Sequence, residues 1–262
     1  PDGLRERAAS ALGPPTEDDP VLRAARARVD AGDHAAAISA LLQAVAAAHD
    51  PGRATAERRL LLAALHWYLR DGAGAAAQWT AVRREAADAR HRARAAIGLG
   101  VLHMQAGELD SALNELSHAQ VDADVAGDTH IVPLACLDLA EARALRGQLT
   151  DALRAGRRAR DEARALRDGA LEAKASRALG QVYADMGLWR AAEATLADAS
   201  ALARAANLDD ERLVAHALRA HVALDARPGD RTAAAVALDR LLSLGGGQDP
   251  EGLGALVHAV RA

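Results

Sequence analysis

Six glycines set the scale on which this chain folds. Gly32, Gly72, Gly107, Gly147, Gly187 and Gly229 recur at spacings of 35 to 42 residues. Five residues after each stands an alanine: Ala37, Ala77, Ala112, Ala152, Ala192 and Ala234. A period of this length belongs to stacked helical hairpins, none of which can bury its apolar face alone. In each period the glycine ends one helix and admits the left-handed turn that a Cβ opposes. The alanine lies in the next helix, where a small side chain lets two backbones approach. Apolar residues follow at helical spacing, as in Ala112, Leu116 and Ala119 or Ala192, Leu196 and Ala199. The breaks between hairpins are polar: AGDT at 126–129, RDG at 167–169 and NLDDE at 207–211. Each offers an Asp or Thr as a helix N-cap.

Composition points the same way. Half of the 262 residues are hydrophobic, mostly Ala and Leu, with no Phe, three Trp and two Tyr. Ala, Leu and Arg are among the strongest helix formers, and strand formers are scarce. The net charge of −4 lacks the basic footprint of a nucleic-acid binder. Cys136 is the sole cysteine, which excludes an internal disulfide and suits a reducing compartment. No run of about 18 apolar residues is present to span a membrane. PDGLRERAAS at the start has no signal-peptide core. These features give the expectation of a cytoplasmic protein. The opening Pro reads as the start of a piece of a longer chain.

Leu179-Gly180, Tyr183, Gly187, Ala192, Leu196 and Ala199 together resemble a tetratricopeptide repeat. Leu99-Gly100, Gly107, Ala112, Leu116 and Ala119 match again, with His103 at the Tyr position. Leu139, Ala140, Gly147, Ala152 and Ala159 match more loosely, with Arg143 at the Tyr position and Gly156 at a large apolar one. The outer repeats keep the Gly and Ala and lose the Leu-Gly pair. The period near 40 resembles the long-helix subtype found in bacterial multidomain regulators. The resemblance implies an all-α fold, an α-α superhelix (solenoid) of about six hairpins plus terminal helices.

Residues 1–20, with GPPTEDDP, read as a linker that can follow a short helix over 4–12. The repeat array is expected over 21–245. LGGGQDP at 244–250 then stops it, and 246–262 form a C-terminal capping helix opened by Asp249-Pro250.

No catalytic constellation emerges, so the chain reads as a non-enzyme with no cofactor and no metal. GLGVLH at 98–103 and GGGQDP at 245–250 lack the Lys-Ser/Thr and the preceding strand of a phosphate loop. Cys136 lacks a CxxC partner and reads as a small packing residue. His216 and His221 are five residues apart and do not share a helix face. DADVAGDTH at 122–130 lacks the bidentate Glu spacing of a calcium loop, and reads as helix end, turn and N-cap. His66-Trp67-Tyr68, with Trp79 across the hairpin, is either core packing or a ligand-facing aromatic patch. Trp189 reads as a plug between hairpins.

In tetratricopeptide arrays the first helix of each pair lines a concave groove. Counting from each turn glycine, the resemblance implies these groove positions. The second hairpin supplies Arg59 and His66. The third supplies Arg94, Ile97, Val101 and Met104, and the fourth Leu137 and Glu141. The fifth supplies Lys174, Arg177 and Gln181, and the sixth Arg219. The middle is apolar and both flanks are basic, which suits an apolar peptide or helix with acidic ends. Alternatively, the arginines face water and pair with acids across the groove. The function expected is a protein-protein interaction or scaffold module within a larger bacterial regulatory or signalling protein. The alternative is a ligand-sensing domain for a small molecule or signalling peptide, which an aromatic-lined pocket near His66, Trp67 and Trp79 would favour. Neither nucleic acid nor membrane insertion is expected, and the oligomeric state is open.

Overall fold

The computed structural model describes residues 19–48 and 52–226, and they contain eleven α-helices and no strand. In chain order these are α1 (Pro20–Asp30), α2 (His34–Ala46), α3 (Arg53–Tyr68), α4 (Gly72–Glu85), α5 (Ala89–Gln105) and α6 (Leu109–Ala126). They continue with α7 (Ile131–Leu145), α8 (Leu149–Ala165), α9 (Gly169–Asp185), α10 (Trp189–Ala205) and α11 (Asp209–Ala226). Five hairpins are complete: α1/α2, α3/α4, α5/α6, α7/α8 and α9/α10. Helix α11 is the first helix of a sixth. The linker helix over 4–12, Gly229, Ala234 and the capping helix over 246–262 lie outside the described residues. The chain divides into two compact units, residues 1–138 and 139–262, with the division inside α7.

The turns inside the hairpins follow the expected chemistry at four positions. Gly32, Gly107, Gly147 and Gly187 have φ of +81°, +76°, +79° and +71°. The second hairpin corrects the expected register. Gly72 is the first residue of α4, and the left-handed position is taken by Arg70, with φ +62°. Asp71 follows it and caps α4, accepting from the Gly74 N–H at 2.8 Å. The equivalent alanine is therefore Ala75 and not Ala77. Ala37, Ala75, Ala112, Ala152 and Ala192 are all fully buried, whereas Ala77 is exposed.

With Arg70 as the reference, the second hairpin regains the pair it had appeared to lose. Leu62-Ala63 stands where Leu99-Gly100, Leu139-Ala140 and Leu179-Gly180 stand, and all eight residues are buried. The small member of each pair faces the second helix of its hairpin. A Cβ on Gly100 would lie 2.5 Å from Leu116 Cγ, and one on Gly180 would lie 2.6 Å from Leu196 Cγ. The fourth hairpin exchanges the two sizes: Ala140 replaces the glycine, and Gly156 stands where Leu116 and Leu196 stand. A Cβ there would meet Ala140 Cβ at 3.7 Å and Leu179 Cδ1 at 3.3 Å. Trp79 fills the same position in the second hairpin, and Gly98 on α5 makes room for its ring, 2.3 Å from an added Cβ. In the second, third and fifth hairpins a small residue thus receives one large one, and in the fourth Leu179 of the next hairpin comes up to the space beside Gly156.

Successive hairpins share that core. Leu22, Ala25, Ala37 and Leu41 of the first cluster with Leu61, Leu62 and Leu65 of the second. Ala63, Trp79 and Val82 of the second cluster with Ala95 and Leu99 of the third. In the second unit, Leu196 and half-buried Trp189 pack with Val222 of α11, so Trp189 is the expected plug. The turns between hairpins carry a second left-handed series at Gly127, Arg167 and Asn207, spaced by 40 residues. Asp128 and Asp168 then cap α7 and α9, accepting from Ile131 N–H at 3.2 Å and Leu171 N–H at 2.9 Å.

Candidate functional site

The candidate site is the face of the first helices that does not pack against the second helix of the same hairpin. In the first unit α5 provides it. Arg94, Ile97, Val101 and Met104 run down one side of that helix at three- and four-residue steps, and all are half-buried. Ile97 rests on the buried cluster of Ala96, Ala119 and Ala135. Burial pushes the Arg94 guanidinium below its usual range, against the opposite pull of Asp128, Glu57 and Asp88. Leu137, on the part of α7 in this unit, is only 6% exposed and serves mainly as core.

The corrected register moves two expected positions. Counted from Arg70, the residues of α3 equivalent to Arg94, Ile97 and Val101 are Glu57, Leu60 and Ala64, not Arg59 and His66. Arg59 turns toward α4, donating to Gln78 Oε1 at 3.2 Å and lying 3.6 Å from Glu85. His66 braces the α3/α4 turn through Nδ1 at 2.7 Å from Asp71 Oδ2. His103 does the same in the next hairpin, 2.6 Å from Glu108 Oε2. Arg28 and Arg143, at the same repeat position, donate instead to the carbonyls of Ala36 and Asp151. The family's Tyr position is therefore a turn brace in four hairpins here.

In the second unit three first helices contribute to one ion network. Arg177 of α9 donates to Glu141 of α7 at 2.7 Å and to Glu211 of α11. Burial alone pushes the Arg177 guanidinium down, and the two carboxylates outweigh that and hold it above its usual range. Lys174, one turn away, has no carboxylate within salt-bridge distance among the described residues. Gln181 donates to Asp185 Oδ1 at 2.7 Å. Arg219 pairs with Glu193 of α10 at 2.6 Å. It stands 40 residues after Leu179, so the α11 residues equivalent to Lys174, Arg177 and Gln181 are Val214, Ala217 and His221. Arg59, Arg177 and Arg219 are thus each occupied by polar or acidic side chains of the chain itself.

Sequence inspection missed Glu211 because Gly229 set the register of the sixth hairpin. The missing signal was the spacing of Arg167 and Asn207, visible only once left-handed residues other than glycine are admitted. Of the aromatic spot, Trp67 and Trp79 pack at the core, 5.9 Å apart and tilted, with Trp79 8% exposed. Tyr68 stacks on His34 at 5.1 Å. Cys136 is fully buried. Asp128 of the DADVAGDTH stretch pairs with Arg90 at 2.8 Å besides capping α7. Among the described residues no group of three or more His, Cys, Asp or Glu is placed to hold a metal ion, and no helix is long and apolar enough to cross a membrane.

The hairpins, their two series of left-handed turns and the Leu–small pairs define an all-α helical-repeat fold of the tetratricopeptide type. No family model matches the sequence, and no curated protein matches it. Solved structures match the fold. A STAND signal-transduction ATPase with a tetratricopeptide repeat sensor, from Pyrococcus horikoshii, aligns over 94% of this chain with a TM-score of 0.72 at 16% identity. The chain spans 38% of that protein. The apo form of RapI aligns over 92% of this chain and 93% of its own, with a TM-score of 0.72 at 11% identity. The Cut9–Hcn1 hetero-tetramer of the APC/C matches over all of this chain and 46% of its own, with a TM-score of 0.67 at 15% identity. At these identities the likeness is one of fold.

Proposed function

We propose that this chain is a non-catalytic interaction module of a larger regulatory or signalling protein, and that its first-helix faces take a segment of a protein partner. The observation that carries this reading is the α5 face, where Ile97, Val101 and Met104 form a half-exposed apolar row. Such a row suits the apolar side of a helix or an extended segment. In the second unit the α9 face offers Lys174 to an acidic group. Arg177 is available only to a carboxylate that displaces Glu141 or Glu211. Two neighbours of the same fold support the context: one carries its repeats as the sensor of a signal-transduction ATPase, and Cut9 assembles with Hcn1. The ligand-sensing alternative is the less favoured reading, because Trp79, one of the aromatics that would line its pocket, packs in the core.

The test is capture from the native cell extract with three baits: the wild type, Val101→Glu/Met104→Glu, and Lys174→Glu. Circular dichroism confirms that each is folded. A partner held by the wild type and lost from the Val101/Met104 variant supports the reading. The same proteins on all three baits, or none on the wild type, defeats it.

A further inference from the structure

Helix α8, the second helix of the fourth hairpin, carries a charge that the rest of the chain opposes. Over residues 143–167, which take in the end of α7 and the turns flanking α8, eight arginines accompany three acids, a net charge of +5 within a chain of net −4, leaving −9 elsewhere; α8 itself holds five of these arginines and all three acids. The buried side of α8 is apolar and small: Ala152, Ala155, Gly156, Ala159 and Ala163. Its outer side presents Arg154, Arg157, Arg158 and Arg164 over roughly 15 Å of helix. The side chains of Arg154, Arg158 and Arg164 are 76%, 37% and 63% exposed. Arg157, also exposed, is held in place by Tyr183: its guanidinium lies 6.0 Å from the ring centroid and donates to the hydroxyl at 3.1 Å. Arg154 and Arg158 pair with exposed acids, Asp151 and Glu162, at 3.2 and 3.8 Å, whereas Arg164 is held at 2.8 Å by Glu172, which is 13% exposed. Exposed pairs like the first two exchange readily for a better-placed anion.

We infer that the outer face of α8 is a second docking surface, distinct from the first-helix faces, for a carboxylate-rich segment of a partner protein. Guanidinium groups bind carboxylates through two parallel hydrogen bonds, and four of them along three turns match an acidic helix or a short acidic strand. A long polyanion would extend past the patch into the negative remainder of the chain. A bilayer would find no exposed large apolar residue on α8 to insert.

The experiment is fluorescence anisotropy with a labelled oligoglutamate peptide of about ten residues, long enough to cover the helical stripe. Three proteins are compared: the wild type, the quadruple Arg154→Gln/Arg157→Gln/Arg158→Gln/Arg164→Gln, and a charge-matched control, Arg23→Gln/Arg53→Gln/Arg84→Gln/Arg204→Gln. We expect the α8 variant to weaken binding by about tenfold or more and the control by less than about threefold. Raising the salt from about 25 to about 250 mM weakens the wild type by about tenfold, because the contacts are exposed. Equal loss in the two variants, or no binding by the wild type, overturns the proposal. A single-stranded oligothymidylate, or vesicles with about a third phosphatidylserine, are run in parallel. If either binds more tightly than the peptide with the same arginine dependence, the assignment to a protein partner is overturned.

Discussion

Gly100 and Gly180 occupy one repeat position, and the space a Cβ would need there belongs to Leu116 and Leu196. Alanine at either site gains helix propensity but forces a buried leucine off its rotamer, so a net loss of about 1–3 kcal/mol is expected. Gly156→Ala meets only ordinary or slightly tight contacts, and propensity makes it neutral or stabilising by up to about 1 kcal/mol. Thermal melts of the three variants decide whether the exchanged pair in the fourth hairpin is understood. His91 gives a pH-dependent counterpart. It is 2% exposed, with Nε2 3.5 Å from Glu57 and Nδ1 3.4 Å from Asp88. Burial lowers its pKa, and the two carboxylates offset that only in part. A histidine depressed in the folded state contributes stability that is present above its unfolded pKa and lost as pH falls through the folded value. Urea melts should therefore show the stability advantage of the wild type over His91→Gln shrinking between pH 7.5 and pH 5 (about 6.5 is the unfolded value). An advantage that grows on acidification contradicts the assignment.

At the scale of the element, the α3/α4 turn is the most informative. Its left-handed residue is Arg70, which pays for that conformation with roughly 1 kcal/mol that glycine would not incur. Arg70→Gly is expected to raise stability by about 0.5–1 kcal/mol, and Gly72→Ala to be nearly neutral, since Gly72 has ordinary helical geometry at the start of α4. Both follow from the corrected register, and the opposite pair of results would restore Gly72 as the turn residue. The same turn shows what sequence can and cannot convey. Where glycine fills the left-handed position, as at 107, 147 and 187, the repeat and its helices were legible in full. At 70 an arginine holds that position and Asp71 supplies the cap, so the nearest glycine misled by two residues. One sign was present: the interval from 72 to 107 was the shortest of the series, and Leu62-Ala63, 37 residues before Leu99-Gly100, lay nearer the later spacing of 40. The site was less legible than the fold. Spacing placed Ile97, Val101 and Met104 on one face of α5. It could not show that Arg177 is shared by Glu141 and Glu211, because those partners lie 36 and 34 residues away, and their meeting depends on how the hairpins stack.

At the scale of the molecule, neighbouring hairpins within each unit share a buried core, and ion pairs tie them further. In the first unit Arg83 of α4 reaches Glu115 and Asp122 of α6, at 3.1 and 3.2 Å, and Arg92 of α5 shares Asp122 at 2.7 Å. In the second unit Arg164 of α8 pairs with Glu172 of α9 and Arg219 of α11 with Glu193 of α10, at 2.8 and 2.6 Å, and Arg177 reaches two carboxylates at once, so removing it leaves two partly buried carboxylates without their cation. Arg177→Met should destabilise by about 2–4 kcal/mol, with much of the loss recovered when Glu141 and Glu211 are changed to Gln as well. A loss under about 0.5 kcal/mol would show that the network is solvated decoration. The central claim is that the first-helix faces receive a protein partner. Photo-crosslinking in the native cell tests it most directly, with a photoreactive phenylalanine analogue placed at Val101, at Gln181 or at Val121, an exposed residue of α6. The account predicts a covalent adduct to a discrete partner from position 101 or 181 and none to that partner from position 121. Adducts from all three positions alike, or from 121 alone, would contradict it.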